Sequence, residues 1–348
     1  MPSNSAAWLT SSNTKSLEVK SAPYPTPKAN TIVIKNGAIA INPIDCLIQD
    51  HPGMVFPHLK LPFVIGSDVA GEVVGVGPGV TRFKIGDRVL GQARGVLKTR
   101  NVSSEGAFQA YTVLLPDLTS QIPDSLSFES AAVIPLGLST AITGLFQDDQ
   151  LALQLPSVPA KPPTGKALLV WGGSTSVGSN AIQLAIAAGY EVFTTASPKN
   201  FDYVKKLGAV QVFDYKSKTV VADIIQALKG KRTAGAMSIG HGAAEACFDI
   251  LDKCNGDKFI AMATYPVPSP PPQSFVLLQT ISYWVSRSVL YWLRSKARGI
   301  RYKLVVGDAL IDNGIGRAIY QDFLPEALKG TFVAAPSPHV VGKGLEYI

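Results

Sequence analysis

The second half of the chain alternates short apolar strands with amphipathic helices, and this alternation constrains the fold more than any other feature. Residues 167–172 (ALLVWG) predict a buried strand, and the apolar side chains of residues 177–188 recur at helical spacing. The same order then repeats in four further segments: residues 191–196 (strand), 201–209 (helix), 210–215 (strand) and 219–229 (helix). Alternation at this spacing predicts a parallel, doubly wound α/β sheet.

The first 130 residues predict a different architecture. Residues 31–41 (TIVIKNGAIAI) read as a strand, and residues 63–90 carry Val/Ile runs that glycines interrupt repeatedly. Such a pattern is typical of the tight turns and bulges of a small β-barrel. Because 348 residues are too many for one ordinary core, we predict two domains.

Composition favours a well-packed globular protein, with 46% hydrophobic and 16% charged residues. The net charge is +7, but the lysines and arginines are scattered and form no basic run of the length that nucleic-acid sites use. A positive balance also suits a polyanionic cofactor. We therefore predict no nucleic-acid partner.

The cysteines indicate a reducing compartment. Cys46, Cys247 and Cys254 form no CxxC pair and are odd in number, which disfavours both a disulfide framework and a cysteine-based zinc cluster. Residues 1–9 lack a basic stretch followed by an apolar core, so no secretory signal is predicted. We expect a cytoplasmic protein.

Residues 274–293 (SFVLLQTISYWVSRSVLYWL) are apolar enough to raise the question of a membrane helix. Arg287 lies near the middle, and a central charge opposes insertion of a helix that needs about 20 apolar residues. We therefore predict a buried helix or the wall of an apolar pocket, and no membrane contact.

The turn after the first strand of the α/β half, residues 172–178 (GGSTSVG), is the candidate phosphate site. In a strand–turn–helix unit, such a turn directs backbone N–H groups and a helix N-terminus at a pyrophosphate. The string is not a strict GxGxxG, but its place between an apolar strand and an amphipathic helix favours a dinucleotide site over an ordinary Gly/Ser loop. The residues predicted to hold the phosphates are Gly173, Ser174, Thr175, Ser176 and Val177.

The end of the second strand decides which dinucleotide binds. NAD sites usually place Asp or Glu there, to accept a hydrogen bond from the ribose 2′-hydroxyl. Residues 194–200 (TTASPKN) contain no acid, whereas Ser197 and Lys199 can donate to a 2′-phosphate. We predict NADPH. The alternative, that Lys199 is an ordinary solvated charge, does not explain the missing acid.

Four long segments resemble successive landmarks of the medium-chain dehydrogenase/reductase superfamily: residues 66–80 (GSDVAGEVVGVGPGV), 86–91 (GDRVLG), 106–114 (GAFQAYTVL) and 127–145 (SFESAAVIPLGLSTAITGL). Within that superfamily, four short motifs are similar to fungal trans-acting enoyl reductases and to zinc-independent quinone-oxidoreductase-like proteins. These motifs are residues 41–46 (INPIDC), 172–178 (GGSTSVG), 197–202 (SPKNFD) and 212–215 (VFDY).

The resemblance implies a GroES-like β-barrel catalytic domain (residues 1–136 and 307–348) that is split by a Rossmann NADP(H)-binding domain (residues 137–306), with the active site in the cleft. Motif matching adds the following cofactor contacts to the turn residues: Pro43, Ile44, Asp45 and Cys46 beside the cofactor, Ser197, Pro198, Lys199 and Asn200 around the 2′-phosphate, Tyr215 at the adenosine, and Met262 and Ala263 at the nicotinamide. The implied substrate contacts are Leu136, Gly137, Leu138 and Thr143.

Zinc is not predicted. Zinc-dependent relatives carry Cys where this chain has Asn42, and His where it has Ser67, which leaves Asp68 alone from that cluster. A catalytic zinc site uses three protein ligands. Alcohol oxidation needs a Lewis acid to acidify the hydroxyl, so the prediction moves towards reduction of an activated C=C bond or a quinone.

The predicted chemistry is hydride delivery from NADPH to an electrophilic carbon, with orientation and exclusion of water supplying most of the acceleration. Asn42, Ser139 and Thr140 are candidates to hydrogen-bond the developing oxyanion, and structural polar contacts are the alternative for each. His51, Tyr111 and water are the candidate proton donors. Residues 47–51 (LIQDH) carry neither the tyrosine nor the lysine that some relatives use near this point.

Three functions stay open at this stage. The first is an NADPH-dependent enoyl or enone reductase, acting on a small molecule and possibly serving a polyketide synthase in trans. The second is an NADPH-dependent quinone oxidoreductase, and the third is a catalytically silent NADPH-binding sensor or partner protein. We expect a monomer or a homodimer.

Overall fold

The computed structural model describes residues 3–12, 14–268, 274–306, 310 and 314–348. The chain divides into two compact units: a barrel unit, Met1–Ser139 with Ile311–Ile348, and a parallel-sheet unit, Thr140–Leu310. Each unit has its own buried hydrophobic cluster.

Antiparallel strands build the barrel unit. They are β1 (Asn4–Leu9), β2 (Glu18–Ala22), β3 (Ile32–Ala40), β4 (Phe63–Val64), β5 (Asp68–Val76), β6 (Arg88–Gln92), β7 (Tyr111–Leu114) and β8 (Thr119–Gln121). One sheet has the order β7-β3-β5-β6-β8, and another has the order β2-β1-β4. Gly71 lies where β3 and β5 approach so closely that an added Cβ would come within 2.1 Å of the Lys35 carbonyl oxygen.

Short helices flank these strands: α1 (Pro43–Asp50), α2 (Pro52–Val55) and α3 (Phe128–Ala132). Helix α1 begins after Asn42, an extended residue that suits an N-cap, and proline occupies the first helical position. The next helix, α4 (Pro135–Phe146), passes from the barrel unit into the parallel-sheet unit.

All pairings in the second sheet are parallel. Its strands are β9 (Lys166–Trp171), β10 (Glu191–Ala196), β11 (Gln211–Asp214), β12 (Arg232–Ser238), β13 (Asn255–Gly256), β14 (Phe259–Met262) and β15 (Arg301–Leu304). The order is β11-β10-β9-β12-β14-β15, with β13 beside β12. The chain therefore moves outward in one direction from β9 and in the other direction from β12. Ligands of doubly wound sheets bind at such a reversal, beyond the carboxyl ends of the strands.

The helices of this unit connect its parallel strands. They are α5 (Ser176–Ala187), α6 (Phe201–Lys206), α7 (Val220–Ala227), α8 (Ala243–Lys253) and α9 (Val276–Arg298). The predicted helices and strands between residues 167 and 229 all occur within three residues of their expected ends. The predicted parallel α/β sheet beside a β-barrel is confirmed.

Helix α9 contradicts one prediction. The segment is helical as expected, but its apolar side chains are not buried: Leu278, Trp284 and Trp292 are exposed, while Tyr291 is buried. The helix carries polar and aromatic groups on the side that packs against α8, and Leu278, Trp284 and Trp292 lie away from that contact. The prediction was wrong because apolar composition does not say which face of a helix meets the core.

The C-terminal segment completes the barrel unit. Helix α10 (Ile315–Arg317) continues through a π-helical stretch, Ala318–Phe323, into α11 (Leu324–Ala327). Within the described part of the chain, the segment Phe128–Phe146 is long and apolar enough to cross a membrane by length and composition, and 67% of its most apolar window is buried. Core helices of soluble proteins share this profile.

Candidate cofactor and active site

The turn between β9 and α5 has the local structure of an anion cradle. Thr175 is the N-cap of α5: its hydroxyl oxygen accepts from the Gly178 amide at 3.0 Å and its hydroxyl donates to the Gly172 carbonyl at 2.8 Å. The amides of Ser176 and Val177 begin the helix, where backbone N–H groups have no acceptor within the helix. This end of a helix attracts negative charge.

Two glycines keep the turn compact. A Cβ on Gly173 would lie 2.1 Å from the Thr194 hydroxyl oxygen, and a Cβ on Gly178 would lie 2.2 Å from the Gly172 carbonyl oxygen. Gly172 itself has a φ of +91°, which side chains rarely adopt. The glycines thus allow the tight turn that precedes the uncapped amides of α5, and these residues fit a dinucleotide phosphate.

The end of β10 holds the turn in place and supplies the groups beside it. The Thr195 hydroxyl accepts from the Gly172 amide at 2.9 Å, and the Thr195 carbonyl accepts from the Gly173 amide at 2.9 Å. After Ala196, Pro198–Asn200 forms a short 3₁₀ turn in which Pro198 and Lys199 are exposed. No acidic side chain occurs between β10 and Asp202.

Three further predicted cofactor residues lie at the carboxyl ends of two strands of the same sheet, β11 and β14. Tyr215 follows β11, is half-exposed, and has the Lys216 ammonium 5.7 Å from its ring centroid. Met262 is buried at the end of β14, and the Ala263 amide donates to the Ser238 carbonyl of β12 at 2.9 Å. These residues share the edge of the sheet from which the turn at Gly172 projects.

In the barrel unit, Asn42 and two buried carboxyl groups form a polar cluster. The Asn42 side-chain amide donates to Asp68 Oδ2 at 3.0 Å, and the Asn42 backbone amide donates to Asp45 Oδ2 at 2.8 Å. The other carboxylate oxygen of Asp68 accepts from the Leu136 amide at 2.7 Å. Asn42, Asp45, Asp68 and Leu136 are therefore one connected group.

Burial dominates the electrostatics of this cluster. Asp45 is 2% exposed and Asp68 is 1% exposed. Desolvation raises the pKa of Asp45 to about 7, against the opposing effect of the hydrogen bonds from Asn42. Desolvation likewise raises the pKa of Asp68 to about 8; the Asn42 hydrogen bond opposes this, and the negative charge of Asp45 adds to it. The pair therefore holds protons at neutral pH that isolated aspartates release.

The other predicted residues of α1 lie outside this polar cluster. Pro43 and Cys46 are exposed, while Ile44 packs partly against the hydrophobic cluster of the barrel unit. Of the candidate proton donors, His51 lies at the exposed end of α1, and the Tyr111 ring lies 4.8 Å from that of Tyr24.

Helix α4 holds the candidate residues between positions 136 and 143. Gly137, Leu138, Ser139 and Thr143 are buried, and Leu136 and Thr140 are partly exposed. The Ser139 hydroxyl lies 2.9 Å from the Tyr320 hydroxyl, so it is engaged inside the protein. This contact favours the structural alternative for Ser139.

Sequence reasoning missed two residues. Tyr320 is fully buried, donates to the Pro135 carbonyl at 2.9 Å, and has a raised pKa because of burial and the nearby Asp68 charge. It comes from a segment 181 residues beyond Ser139, so no local signal could have identified it. Thr195 was detectable, because a threonine pair inside a buried strand needs partners for its hydroxyl groups.

Among the residues that the structure describes, no group of three or more His, Cys, Asp or Glu side chains is placed to hold a metal ion. Cys46 is a free exposed cysteine, and Cys247 and Cys254 are free and buried.

Segments of both units match known protein families. Residues 28–124 match the family described as alcohol dehydrogenase GroES-like domain, and residues 176–255 match the family described as zinc-binding dehydrogenase. The first match lies within the barrel unit, and the second runs from the start of α5 through β10, β11, β12 and α8.

The chain is also similar, over nearly its whole length, to proteins named as dehydrogenases and reductases. The chain is 61% identical over 349 residues to dehydrogenase pigH of Monascus ruber, covering 100% of this chain and 95% of the relative. It is 38% identical to the trans-enoyl reductase himH of Aspergillus japonicus, covering 99% and 92%. The fold matches Escherichia coli quinone oxidoreductase complexed with NADPH, with a TM-score of 0.64 at 20% identity over 95% of this chain and 89% of that one.

Proposed function

The chain belongs to the medium-chain dehydrogenase/reductase superfamily, in its zinc-independent branch, and from this premise we propose that it is an NADPH-dependent reductase of activated C=C bonds. It is an oxidoreductase that uses a nicotinamide cofactor and a small-molecule substrate. The choice of NADPH and of an enoyl or enone acceptor is our proposal. We also propose that it acts in the cytoplasm, on intermediates of a polyketide synthase in trans.

One observation carries the choice of cofactor. The cradle at residues 172–178 is followed by a strand end where the acid of NAD sites is replaced by Ser197, Lys199 and Asn200. A carboxylate at this point repels a 2′-phosphate, whereas an ammonium and two neutral donors stabilise it. When bound, NADPH supplies the hydride.

The residues of the parallel-sheet unit then have separate tasks. The α5 N-terminus and the amides of the turn bind the pyrophosphate, and Thr175 fixes the first turn of α5. Tyr215 packs on the adenosine end, and Met262 and Ala263 face the nicotinamide. These contacts orient the cofactor and exclude water from one side of it.

In the barrel unit, Asn42 is the proposed donor to the acceptor's carbonyl oxygen. Its side-chain nitrogen carries two hydrogens, and the bond to Asp68 uses one of them. That bond holds the amide in a fixed orientation, so the second hydrogen is available to a developing oxyanion. Thr140, which is partly exposed, is a second candidate; Ser139 is less suited because Tyr320 engages it.

The similar proteins support the choice of hydride acceptor. Trans-enoyl reductases of Aspergillus species are 38% and 39% identical to this chain, which favours an enoyl or enone substrate. Quinone reduction is the second candidate, since quinone oxidoreductases share the fold. The third candidate, a silent NADPH-binding protein, rests on residues 47–51 (LIQDH), which carry neither the tyrosine nor the lysine of some relatives.

The test is a screen of the purified full-length chain for NADPH oxidation with enoyl thioesters, enones and quinones. We expect turnover with an enoyl thioester or enone, weaker turnover with NADH, and no loss of activity after chelator treatment. Faster turnover with quinones selects the second candidate. Tight NADPH binding without turnover on any acceptor class selects the third, and inactivation by chelator contradicts the zinc-independent chemistry.

A further inference from the structure

Helix α9 is amphipathic, but its polar face packs against α8 and several of its apolar side chains are exposed to solvent. It has 23 residues, and at about 1.5 Å per residue it is roughly 35 Å long. Its sequence contains four cationic side chains and no acid. Arg287, Arg294 and Arg298 lie on the side that packs against α8, whereas Lys296 is exposed one turn beyond Trp292.

Ion pairs and aromatic contacts fix the inner face on α8. Arg287 pairs with Glu245 at 3.2 Å, and Arg298 pairs with Asp249 at 2.5 Å. The Tyr291 hydroxyl donates to Glu245 at 3.0 Å, and the Tyr291 ring stacks on Phe248 with centroids 5.9 Å apart. Rolling α9 to bury its other side would break these contacts, so the helix is held in this orientation.

The outer face is a continuous apolar stripe. Its members share exposures between 46% and 68%, and they are Leu278, Ile281, Val285, Val289, Trp292 and Leu293. From Leu278 to Trp292 the spacing runs three, four, four and three residues, which averages 3.5. This is the interval at which two helices pack along a common seam.

The charge of α9 and the exposed area of the stripe indicate whether a lipid surface or a protein covers it. The arginines at 287, 294 and 298 are paired with α8 acids, and the stripe from Leu278 to Leu293 has no charged side chain of its own. Lys296, exposed beyond the end of the stripe, is then the one cation of α9 on this side, which gives an anionic surface little to bind. Together with Phe275 and Trp284, the stripe exposes eight large side chains. At on the order of 100 Å² of apolar surface each, they present roughly 800 Å², which is about one partner's share of a standard interface.

We propose that the outer face of α9 is the interface between two copies of this chain. An uncharged stripe with a regular seam is complementary to itself when a two-fold axis crosses it, as symmetric dimers require. The axis passes near Val285, which lies midway between Leu278 and Trp292. Two α9 helices then pack antiparallel, with Leu278 of one copy opposite Trp292 of its partner.

The oligomeric state tests the proposal. We expect the full-length chain to sediment as a dimer that dissociates on dilution, and Ile281→Glu to raise the dissociation constant by about 100-fold or more, because it buries an unpaired charge in the seam. Ile85→Glu is the matched control: Ile85 is 68% exposed in the barrel unit, and the same change there leaves the dimer intact. A wild-type chain that stays monomeric at every concentration, or a dimer that Ile281→Glu leaves unchanged, overturns the proposal.

Cross-linking tests the position of the axis. In a Cys46→Ser background, Val285→Cys should form a covalent dimer through a disulfide to the same residue of the partner under a mild oxidant. Leu278→Cys should not, because its two copies would be about 21 Å apart along the antiparallel helices. Equal cross-linking of both variants contradicts the antiparallel seam.

A lipid surface is the competing occupant, and flotation with vesicles of anionic phospholipid distinguishes it. Binding of monomeric wild-type chain to vesicles, abolished by Ile281→Glu and not by Ile85→Glu, would assign the stripe to a membrane and overturn the dimer. NADPH affinity serves as the folding control for Ile281→Glu and Ile85→Glu, which we expect to bind NADPH as the wild type does. The cysteine variants are compared with the Cys46→Ser chain instead of the wild type.

Discussion

Asp45 and Asp68 are buried carboxyl groups, and burial raises the pKa of each more than the hydrogen bonds to it lower that pKa. The stability of the barrel unit should therefore depend on pH. Both pKa values are raised in the folded chain, to about 7 and about 8, from 3.8 in an unperturbed aspartate. Between pH 3.8 and about 8, the folded state binds more protons than the unfolded state, so the free energy of unfolding falls as pH rises. The stabilisation that these two protonated carboxyl groups provide is fully present below about pH 4, and it is lost as the pH rises through about 7 and about 8.

Asp68→Asn should therefore weaken this pH dependence. An amide cannot ionise, so the variant should lose less stability between pH 5 and 9 than the wild type, by at least about 1.4 kcal/mol, the equivalent of one pKa unit. Hydrogen exchange of the β5 amides measures the unfolding free energy of this unit. Asp50→Asn, at the exposed end of α1, is the control and should keep the wild-type slope. Identical slopes for Asp68→Asn and the wild type would refute the assignment.

Lys199 is the residue on which the choice of NADPH depends most directly. A charge-assisted hydrogen bond contributes about 1.5–3 kcal/mol, so Lys199→Glu should raise the KM for NADPH by about 10- to 100-fold or more, with a much smaller effect on NADH. Steady-state kinetics with both cofactors measures the ratio. Lys229→Glu, an exposed lysine at the end of α7, should leave both values unchanged. Equal damage to NADPH and NADH use would show that Lys199 does not contact the 2′-phosphate.

Residues that act through local structure were predictable, and residues that act through distant contacts were not. The turn at 172–178, between an apolar strand and an amphipathic helix, follows from the chemistry of a few consecutive residues. The bond from Asn42 to Asp68 spans 26 residues, and the contact of Ser139 with Tyr320 spans 181. Only the folded chain brings such partners together, because side-chain identity alone does not specify a distant partner.

At the scale of elements, the strand–turn–helix unit of β9 and α5 is the most constrained part of the candidate site. Gly178→Ala places a Cβ 2.2 Å from the Gly172 carbonyl oxygen and 2.8 Å from the Gly173 Cα, and both obstacles are backbone atoms. We expect a loss of about 1–3 kcal/mol in stability and weaker NADPH binding, because the turn must move. Denaturant unfolding and calorimetric titration measure the two effects.

Gly330→Ala is the matched control for that substitution. An added Cβ at Gly330 meets nothing within 4 Å and the residue is not among those with positive φ, so stability should change by less than about 0.5 kcal/mol. If Gly178→Ala behaves like this control, the turn is less tightly packed than the contacts at Gly172 and Gly173 indicate.

The elements also show where pattern reading succeeds and where it fails. Strands β9, β10 and β11 are short apolar runs bounded by turns, and their type and place followed from periodicity. Helix α9 was predicted as a helix but assigned the wrong environment. Its inner face is built from Arg287, Tyr291 and their acidic partners on α8, a polar contact that apolar composition conceals.

At the scale of the whole molecule, the parallel-sheet unit is inserted into the sequence of the barrel unit. The chain leaves the barrel unit after Ser139 and returns at Ile311. The returning segment contributes Tyr320 to the contacts of α4, and Leu345 and Ile348 pack against the hydrophobic cluster of the barrel unit. Two separate cores in one chain of this kind predict unfolding that is not a single two-state transition.

This organisation leads to a prediction for cofactor binding. A ligand stabilises the state that binds it by RT ln(1 + [L]/Kd), about 2.7 kcal/mol at 100 times Kd. Because the proposed phosphate and 2′-phosphate contacts all lie in the parallel-sheet unit, NADPH should slow hydrogen exchange in β9, α5 and β10 more than in β3 and β5. NADH at the same concentration should protect the same segments less, since it lacks the phosphate that Lys199 binds. Protection concentrated in β3 and β5, or equal for both cofactors, would place the dinucleotide away from the turn that follows β9.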